Sequence, residues 1–283
     1  MKKAFLALAM LALSTISFAQ TLAIASLQPE ASALQAQDNA AETAPHSLSS
    51  TSACSFTFTS GTGLTFLKYC VTVNGNITSF ESPAGEEQIN FGAAGEGYGV
   101  CDFAGGTAYN DYAGFGDSGN WGPASIVSQS AKSVKIARTT SDGIWTLTQT
   151  ISMVAGLPPS AKIVMTLTNN SAVSRQGQLL RYADVDSAGI PQQNNFDATI
   201  NSAFGWNPGR EPSASGLMLQ NGSSSIHALA FAQNVPDGPS PCVPFSHMSN
   251  STQIAIDGSV VLLYRFQVAA HRSQTVTVSY RPM

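Results

Sequence analysis

Charge is scarce in this chain. Only 11% of its 283 residues are Asp, Glu, Lys or Arg, and no basic run follows Lys2-Lys3. Removing those two lysines with an N-terminal leader leaves 11 Lys+Arg against 17 Asp+Glu, a net charge of −6. An acidic, sparsely charged surface has no electrostatic grip on nucleic acid or on anionic membranes. No segment after residue 19 approaches the twenty uninterrupted apolar residues that a membrane span needs, so membrane insertion is excluded as an expectation. No repeat of fixed period occurs, which argues against propellers and solenoids. The cysteines are too far apart for a zinc loop, and the four histidines (His46, His227, His247 and His271) are scattered.

What is present begins with an export pattern. Lys2 and Lys3 precede an apolar run over 4–12, and Ser17-Phe18-Ala19 supplies small residues at a cleavage point. That order predicts a signal peptide over 1–19, bacterial in style, and a secreted or periplasmic protein. Residues 20–50 lack aromatics and contain Pro29 and Pro45; such a segment buries too little to offset its ordering entropy and is expected to be a flexible leader, with His46 solvated. Four cysteines in an exported chain predict two disulfides. Cys54 with Cys70 is favoured because the residues between them pattern as a hairpin. Cys101 with Cys242 then closes a loop of about 140 residues, worth about 4–5 kcal/mol in the chain-entropy model.

From Cys54 onward the hydrophobic period is two. Phe56 and Phe58 alternate with Ser55, Thr57 and Thr59, and Asn74-Gly75 between Val73 and Ile77 is a strong hairpin signal. Trp145, Leu147, Gln149, Ile151 and Met153 line one strand face, opposite Thr146, Thr148 and Thr150. Segments around 134–136, 144–153, 162–168 and 178–185 read as an antiparallel meander of four long strands, and 259–268 with 274–280 read as a closing hairpin. Without an internal linker, 51–283 is expected to be one all-β domain, a single large antiparallel β-sandwich. The rhythm of Thr166-Leu167-Thr168-Asn169-Asn170-Ser171, Arg181-Tyr182-Ala183-Asp184-Val185-Asp186 and Val268-Ala269-Ala270 resembles the galactose-mutarotase-like supersandwich. The resemblance implies architecture only. No histidine pair is placed as that family's epimerases need, and no epimerase activity is carried across.

Three groups of residues carry candidate chemistry. Gly116-Asp117-Ser118-Gly119 has the look of a serine-nucleophile segment, but no histidine is placed to serve as its base. The surrounding stretch 109–121 interleaves aromatics with Asp, Asn and Gly. Tyr109, Asp111, Tyr112, Asp117 and Trp121 would suit the C–H faces and hydroxyls of a glycan, unless the rings fold back onto the sandwich. Trp206 and Arg210 form a second such group. Asp184, Asp186 and Gly189 open a calcium-loop pattern, but Ala188 and Asn195 stand where an EF-hand needs ligands. A looser calcium site from Asp184, Asp186 and Asp197 is one expectation. An acid pair Asp184/Asp186 for glycoside cleavage is another. The plainest is that Arg181 balances strand-exit carboxylates.

The reading that leads is a non-catalytic glycan-binding or envelope-associated module without a required cofactor. A polysaccharide lyase or glycoside hydrolase, and a purely structural surface protein, are the alternatives. Nothing in the pattern specifies an oligomeric state.

Overall fold

In the computed structural model, residues 53–89, 95–189, 191–209 and 215–283 are described. The expected signal peptide, the leader with His46, and Arg210 lie outside them. Among the described residues the chain forms nineteen strands and short 3-10 turns, with every strand pair antiparallel. Among the described residues no helix is long and apolar enough to cross a membrane.

Two large sheets make the body. The nine-stranded sheet runs in the order Gln253–Ile256, Asn194–Thr199, Ser202–Asn207, Ser215–Asn221, Ser273–Pro282, Ser160–Asn169, Trp145–Val154, Ser133–Thr139 and Ser125–Gln129. The seven-stranded sheet runs Met248–Ser249, Leu229–Gln233, Ser259–Val268, Arg175–Asp184, Glu96–Asp102, Thr107–Ala113 and Gly116–Asp117. A third sheet, Phe56–Ser60, Leu67–Val71 and Ile77–Glu81, adds Phe58, Leu67, Tyr69, Ile77 and Phe80 to the same core. The fold is the all-β antiparallel sandwich that the period-two pattern predicts.

Alternation fixes which side chains enter the core. Trp145, Leu147, Gln149 and Ile151 are buried on one face of their strand, while the threonines between them are half-buried. Facing residues of both large sheets, including Ile163, Met165, Leu167 and Val278 from one and Tyr98, Val100, Leu179 and Leu262 from the other, merge into one apolar cluster. Asn74-Gly75 makes the expected turn: Gly75 has φ +93°, and its N–H donates to Thr72 O at 3.1 Å. That φ is what calls for glycine here, and a side chain would in addition displace the Gln149 amide, which a Cβ would meet at 2.5 Å.

Two connections differ from the expectation. Only three strands of the expected four-strand meander stay together; Arg175–Asp184 crosses to the seven-stranded sheet, between Ser259–Val268 and Glu96–Asp102. The closing pair is also no hairpin. Ser259–Val268 belongs to one sheet and Ser273–Pro282 to the other, so the turn with His271 at φ +56° arches between layers. Period-two alternation is identical for a strand that pairs with its neighbour and for one that faces it across a core, so pattern alone does not separate the two.

A second apolar cluster covers the far face of the seven-stranded sheet. Tyr112, Leu180, Tyr182, Phe231, Val261 and Leu263 pack there with Phe115, Phe245 and Met248. Segment 234–247 roofs it: Tyr112 Oη donates to Pro239 O at 2.6 Å, Tyr182 Oη donates to Pro236 O, and Gln178 Nε2 donates to Pro241 O at 2.8 Å. Disulfides join Cys54 to Cys70 and Cys101 to Cys242, the second anchoring this roof to strand Glu96–Asp102. Both bonds point to an oxidising compartment.

Candidate functional site

The stretch 109–121 is not the exposed loop that its glycines and polar residues suggested. Thr107–Ala113 is a strand between Glu96–Asp102 and Gly116–Asp117, and Tyr109, Asp111, Tyr112 and Trp121 are 1%, 0%, 3% and 7% exposed. Their rings pack edgewise, Tyr98 and Tyr109 on Trp121 and Tyr112 on Tyr182. Asp111 and Asp117 both pair with Arg138, whose guanidinium also lies 5.5 Å from the Trp121 ring centroid. Burial, aided by the Coulomb effect of Asp117 and opposed by Arg138, pushes the Asp111 carboxyl up to about 6. The expected sugar platform at these five residues is therefore corrected: the rings fold back, and the acids hold an arginine in place of hydroxyls. Ser118 is a turn hydroxyl, accepting from Asn110 N at 3.0 Å and donating to Asn120 Oδ1.

Asp184 and Asp186 do come together, with a third partner that differs from the expected one. One carboxylate oxygen each of Asp184, Asp186 and Asp257 lies within 4.8 Å of the others. Asp257 sits in the turn before Ser259–Val268, which pairs Ser259 with Asp184. Asp197, expected as the third ligand, is on strand Asn194–Thr199 of the opposite sheet, accepting from Ala198 N at 2.7 Å and Thr252 Oγ1 at 2.7 Å.

Arg181 does not balance this cluster. Three positions apart on one strand, Arg181 and Asp184 point to opposite faces. The guanidinium lies in the core against Glu96 at 2.5 Å, both residues fully buried. Asp184 and Asp186 are 3% and 2% exposed, so they are too buried to flank a glycosidic bond as acid and base. Asp257 and Asp237 carry no local signal that sequence reasoning can use, since each is an ordinary Asp-Gly turn residue until folding brings it beside Asp184.

Burial, reinforced by Asp186, Asp257 and Asp237, pushes Asp184 up to about 10. An acid raised above its unfolded value of about 3.9 contributes stability that is complete below that value and lost as pH climbs toward the folded one. In chelator-containing buffer the melting temperature is expected to fall between pH 5 and pH 9, and Asp184→Asn to flatten that slope. Parallel slopes for the two proteins would contradict the assignment.

A different feature lies on the outer face of the nine-stranded sheet. In Ser202–Asn207 the residues Ala203, Gly205 and Asn207 turn inward, leaving Phe204 and Trp206 side by side and half-buried outside, ring centroids 5.6 Å apart at 36°. Neighbouring strands frame them with polar groups. Asp197 and Met218 flank Phe204, and Asn195 and Gly216 flank Trp206. Gly216 is required there, because a Cβ would meet Trp206 Cβ at 2.8 Å. One strand further, Arg281 donates to Gln220 Oε1 at 2.7 Å, leaving the Gln220 amide N–H groups and further guanidinium donors for another partner. Trp206 is thus the one expected glycan-contacting ring that stands partly open. Phe204 joins it because the strand puts i and i+2 on one face.

No family model matches the chain, and no curated protein matches it in sequence. Solved structures similar to it include a candidate aldose 1-epimerase from Escherichia coli K12 (12% identity, 81% of this chain and 99% of that chain, TM-score 0.47). A galactose mutarotase-like protein from Lactobacillus casei ATCC 334 is similar at 9% identity over 81% of this chain and 100% of that one, TM-score 0.47. The Slr1438 protein from Synechocystis sp. PCC 6803 is similar at 11% identity over 84% and 99%, TM-score 0.46. The likeness is distant and one of architecture.

Proposed function

We propose that this chain is an exported, non-catalytic glycan-binding module whose contact surface is the outer sheet face around Phe204 and Trp206. The observation that carries the reading is the pair of half-buried rings lying side by side on a flat strand face, 5.6 Å apart. Sugar rings offer apolar C–H faces to such a surface, and the hydroxyls around their rims need donors and acceptors beside it. Asn195, Asp197, Gln220 and Arg281 supply both kinds. Strands hold the backbone beneath these side chains, so little ordering entropy is lost on binding. The deeply buried acids argue against a catalytic role on a polymer, which would need them open to substrate.

The reading predicts retention of the disulfide-bonded protein on at least one of cellulose, chitin and peptidoglycan in a pull-down. Trp206→Ala should weaken that retention by about tenfold or more, the scale at which a stacked tryptophan anchors an interface. Tyr109→Phe, in the core on the other sheet, should leave it unchanged. Retention by none of the three, or equal retention of Trp206→Ala, would remove the basis of the proposal.

A further inference from the structure

The outer face of the nine-stranded sheet continues well past Phe204 and Trp206, and its charge differs from that of the chain as a whole. Against 17 Asp+Glu in the sequence, only one of the nine strands holds an acid, Asp197 on Asn194–Thr199. Three cations stand at outward positions of the strands beyond it, Arg281 and Lys135 half-buried and Lys162 exposed. Strand register lays them on one diagonal that starts at the rings. Phe204 lies beside Met218, and Met218 beside Arg281. Lys162 is opposite Ser279, which makes it the diagonal neighbour of Arg281 at about 7–8 Å. On its other side Lys162 is opposite Ser152; Thr150, next on that face, is opposite Lys135, about 12 Å from Lys162. None of the three cations forms an ion pair among the described residues. Lysine on an edge strand blunts unwanted strand pairing, but these three strands each have a neighbour on both sides, so that purpose does not account for them.

Cations without acidic partners, gathered on one face of an acidic chain, complement a partner of negative charge. We propose that this face binds an anionic polysaccharide, one whose sugars carry carboxylate or sulfate groups, laid across the sheet from Trp206 past Arg281 and Lys162 to Lys135. The inference rests on the glycan reading of Phe204 and Trp206 and names the class of glycan. A sugar ring stacks on the aromatic pair, and Arg281 offers its planar fork to the first anionic group. Lys162 and Lys135 meet groups further along the polymer as point charges, while Thr150, Ser152 and Ser279 place hydroxyls between them for the sugar rims. Nucleic acid is also a polyanion, but its denser charge is repelled by the acidic remainder of the protein. Single strands are also held by rings spaced for successive bases, whereas Phe204 and Trp206 are the only aromatics at outward positions of these nine strands.

The test is binding of the disulfide-intact protein to immobilised polygalacturonate, alginate and dextran sulfate, beside methyl-esterified pectin, which keeps the polygalacturonate backbone without its charge. Binding to at least one charged polymer is expected, about tenfold tighter than to the esterified pectin, and the polymer bound tells carboxylate from sulfate. Raising salt from about 50 to about 300 mM should weaken it by about tenfold or more, as three contacts to a polyanion require. Lys135→Gln/Lys162→Gln should bind about threefold or more weaker at the lower salt and lose most of the salt dependence. Lys68→Gln/Arg265→Gln removes the same charge from exposed positions of the other two sheets and should bind as the wild type does. The proposal is overturned if no charged polymer binds, if the esterified pectin binds equally well, or if the two double variants bind alike. Displacement of the polysaccharide by a thymidine oligonucleotide at equal charge concentration would overturn it too. Retention on cellulose, chitin or peptidoglycan that needs Trp206 but shows no preference for charge would sink this inference alone. Charge-dependent binding indifferent to Trp206→Ala would instead remove the ring surface, and with it the path proposed here.

Discussion

Arg181→Met is expected to lower the melting temperature by about 6–20 °C. Arg181 and Glu96 are both fully buried and pair at 2.5 Å. Around them Arg181 Nε donates to Tyr280 Oη at 3.1 Å, Nη1 to Gln149 Oε1 at 2.6 Å and Nη2 to Gly75 O at 3.1 Å. Glu96 in turn accepts from Tyr280 Oη and from Ile77 N, each at 2.5 Å. Five chain segments that are remote in sequence thus meet at one ion pair between the sheets. Removing one member of such a pair strands the other charge in a dry interior, at a cost of about 3–5 kcal/mol, and a domain of this size loses about 2–4 °C per kcal/mol.

The same network predicts how pH modulates the loss. Burial already raises the Glu96 carboxyl above its ordinary range, against the pull of Arg181. Without Arg181 that rise grows, and an acid raised in the folded state destabilises as pH increases through its folded value. The deficit of Arg181→Met should therefore be smaller at pH 5 than at pH 8. Adding Glu96→Gln should recover part of it, because no unpaired charge is then left. Scanning calorimetry of the two variants decides: a loss under about 2 °C for Arg181→Met would mean the pair carries far less than a buried ion pair should.

Much of this architecture was legible because strand alternation is a local property. Trp145 to Ile151 declares its buried face within seven residues, and Asn74-Gly75 names its own turn. The core that those faces form, and the sandwich class, follow directly. What pattern did not reveal is which sheet a strand joins. Val268 and Ser273 flank a short turn that would suit a hairpin, yet the chain passes from one layer to the other there. The site readings divided along the same line. Trp206 carried its signal locally, in a short segment with Phe204. The aromatics of 109–121 carried the same composition but are buried, because composition does not distinguish a ring that faces solvent from one that faces the second layer. Arg181 could be excluded as the partner of Asp184 by parity alone once the strand was known to run unbroken through both. Asp257 could not be foreseen, since its place beside Asp184 depends on the pairing of Ser259 with Asp184, a contact between distant parts of the chain.

That dependence on distant pairing makes the longer disulfide the stronger of the two constraints. Cys101 and Cys242 are 141 residues apart, Cys54 and Cys70 only 16. Loop-closure entropy alone makes the first worth about 2 kcal/mol more than the second. It also fastens segment 234–247, whose carbonyls at Pro236, Pro239 and Pro241 accept from Tyr182, Tyr112 and Gln178. The double variant Cys101→Ser/Cys242→Ser should lose about 2–5 kcal/mol, seen as a melting temperature lower by about 4–20 °C. Freed at one end, the roof should lift from Tyr112, Tyr182 and Phe231, so limited proteolysis should cut first within 234–247. Binding through Trp206 should persist, because that ring is carried by the other sheet. Cys54→Ser/Cys70→Ser should cost less and leave 234–247 protected. If instead the shorter bond proved the costlier to remove, or cleavage began outside 234–247, the roof would not be what keeps the far face of the seven-stranded sheet covered.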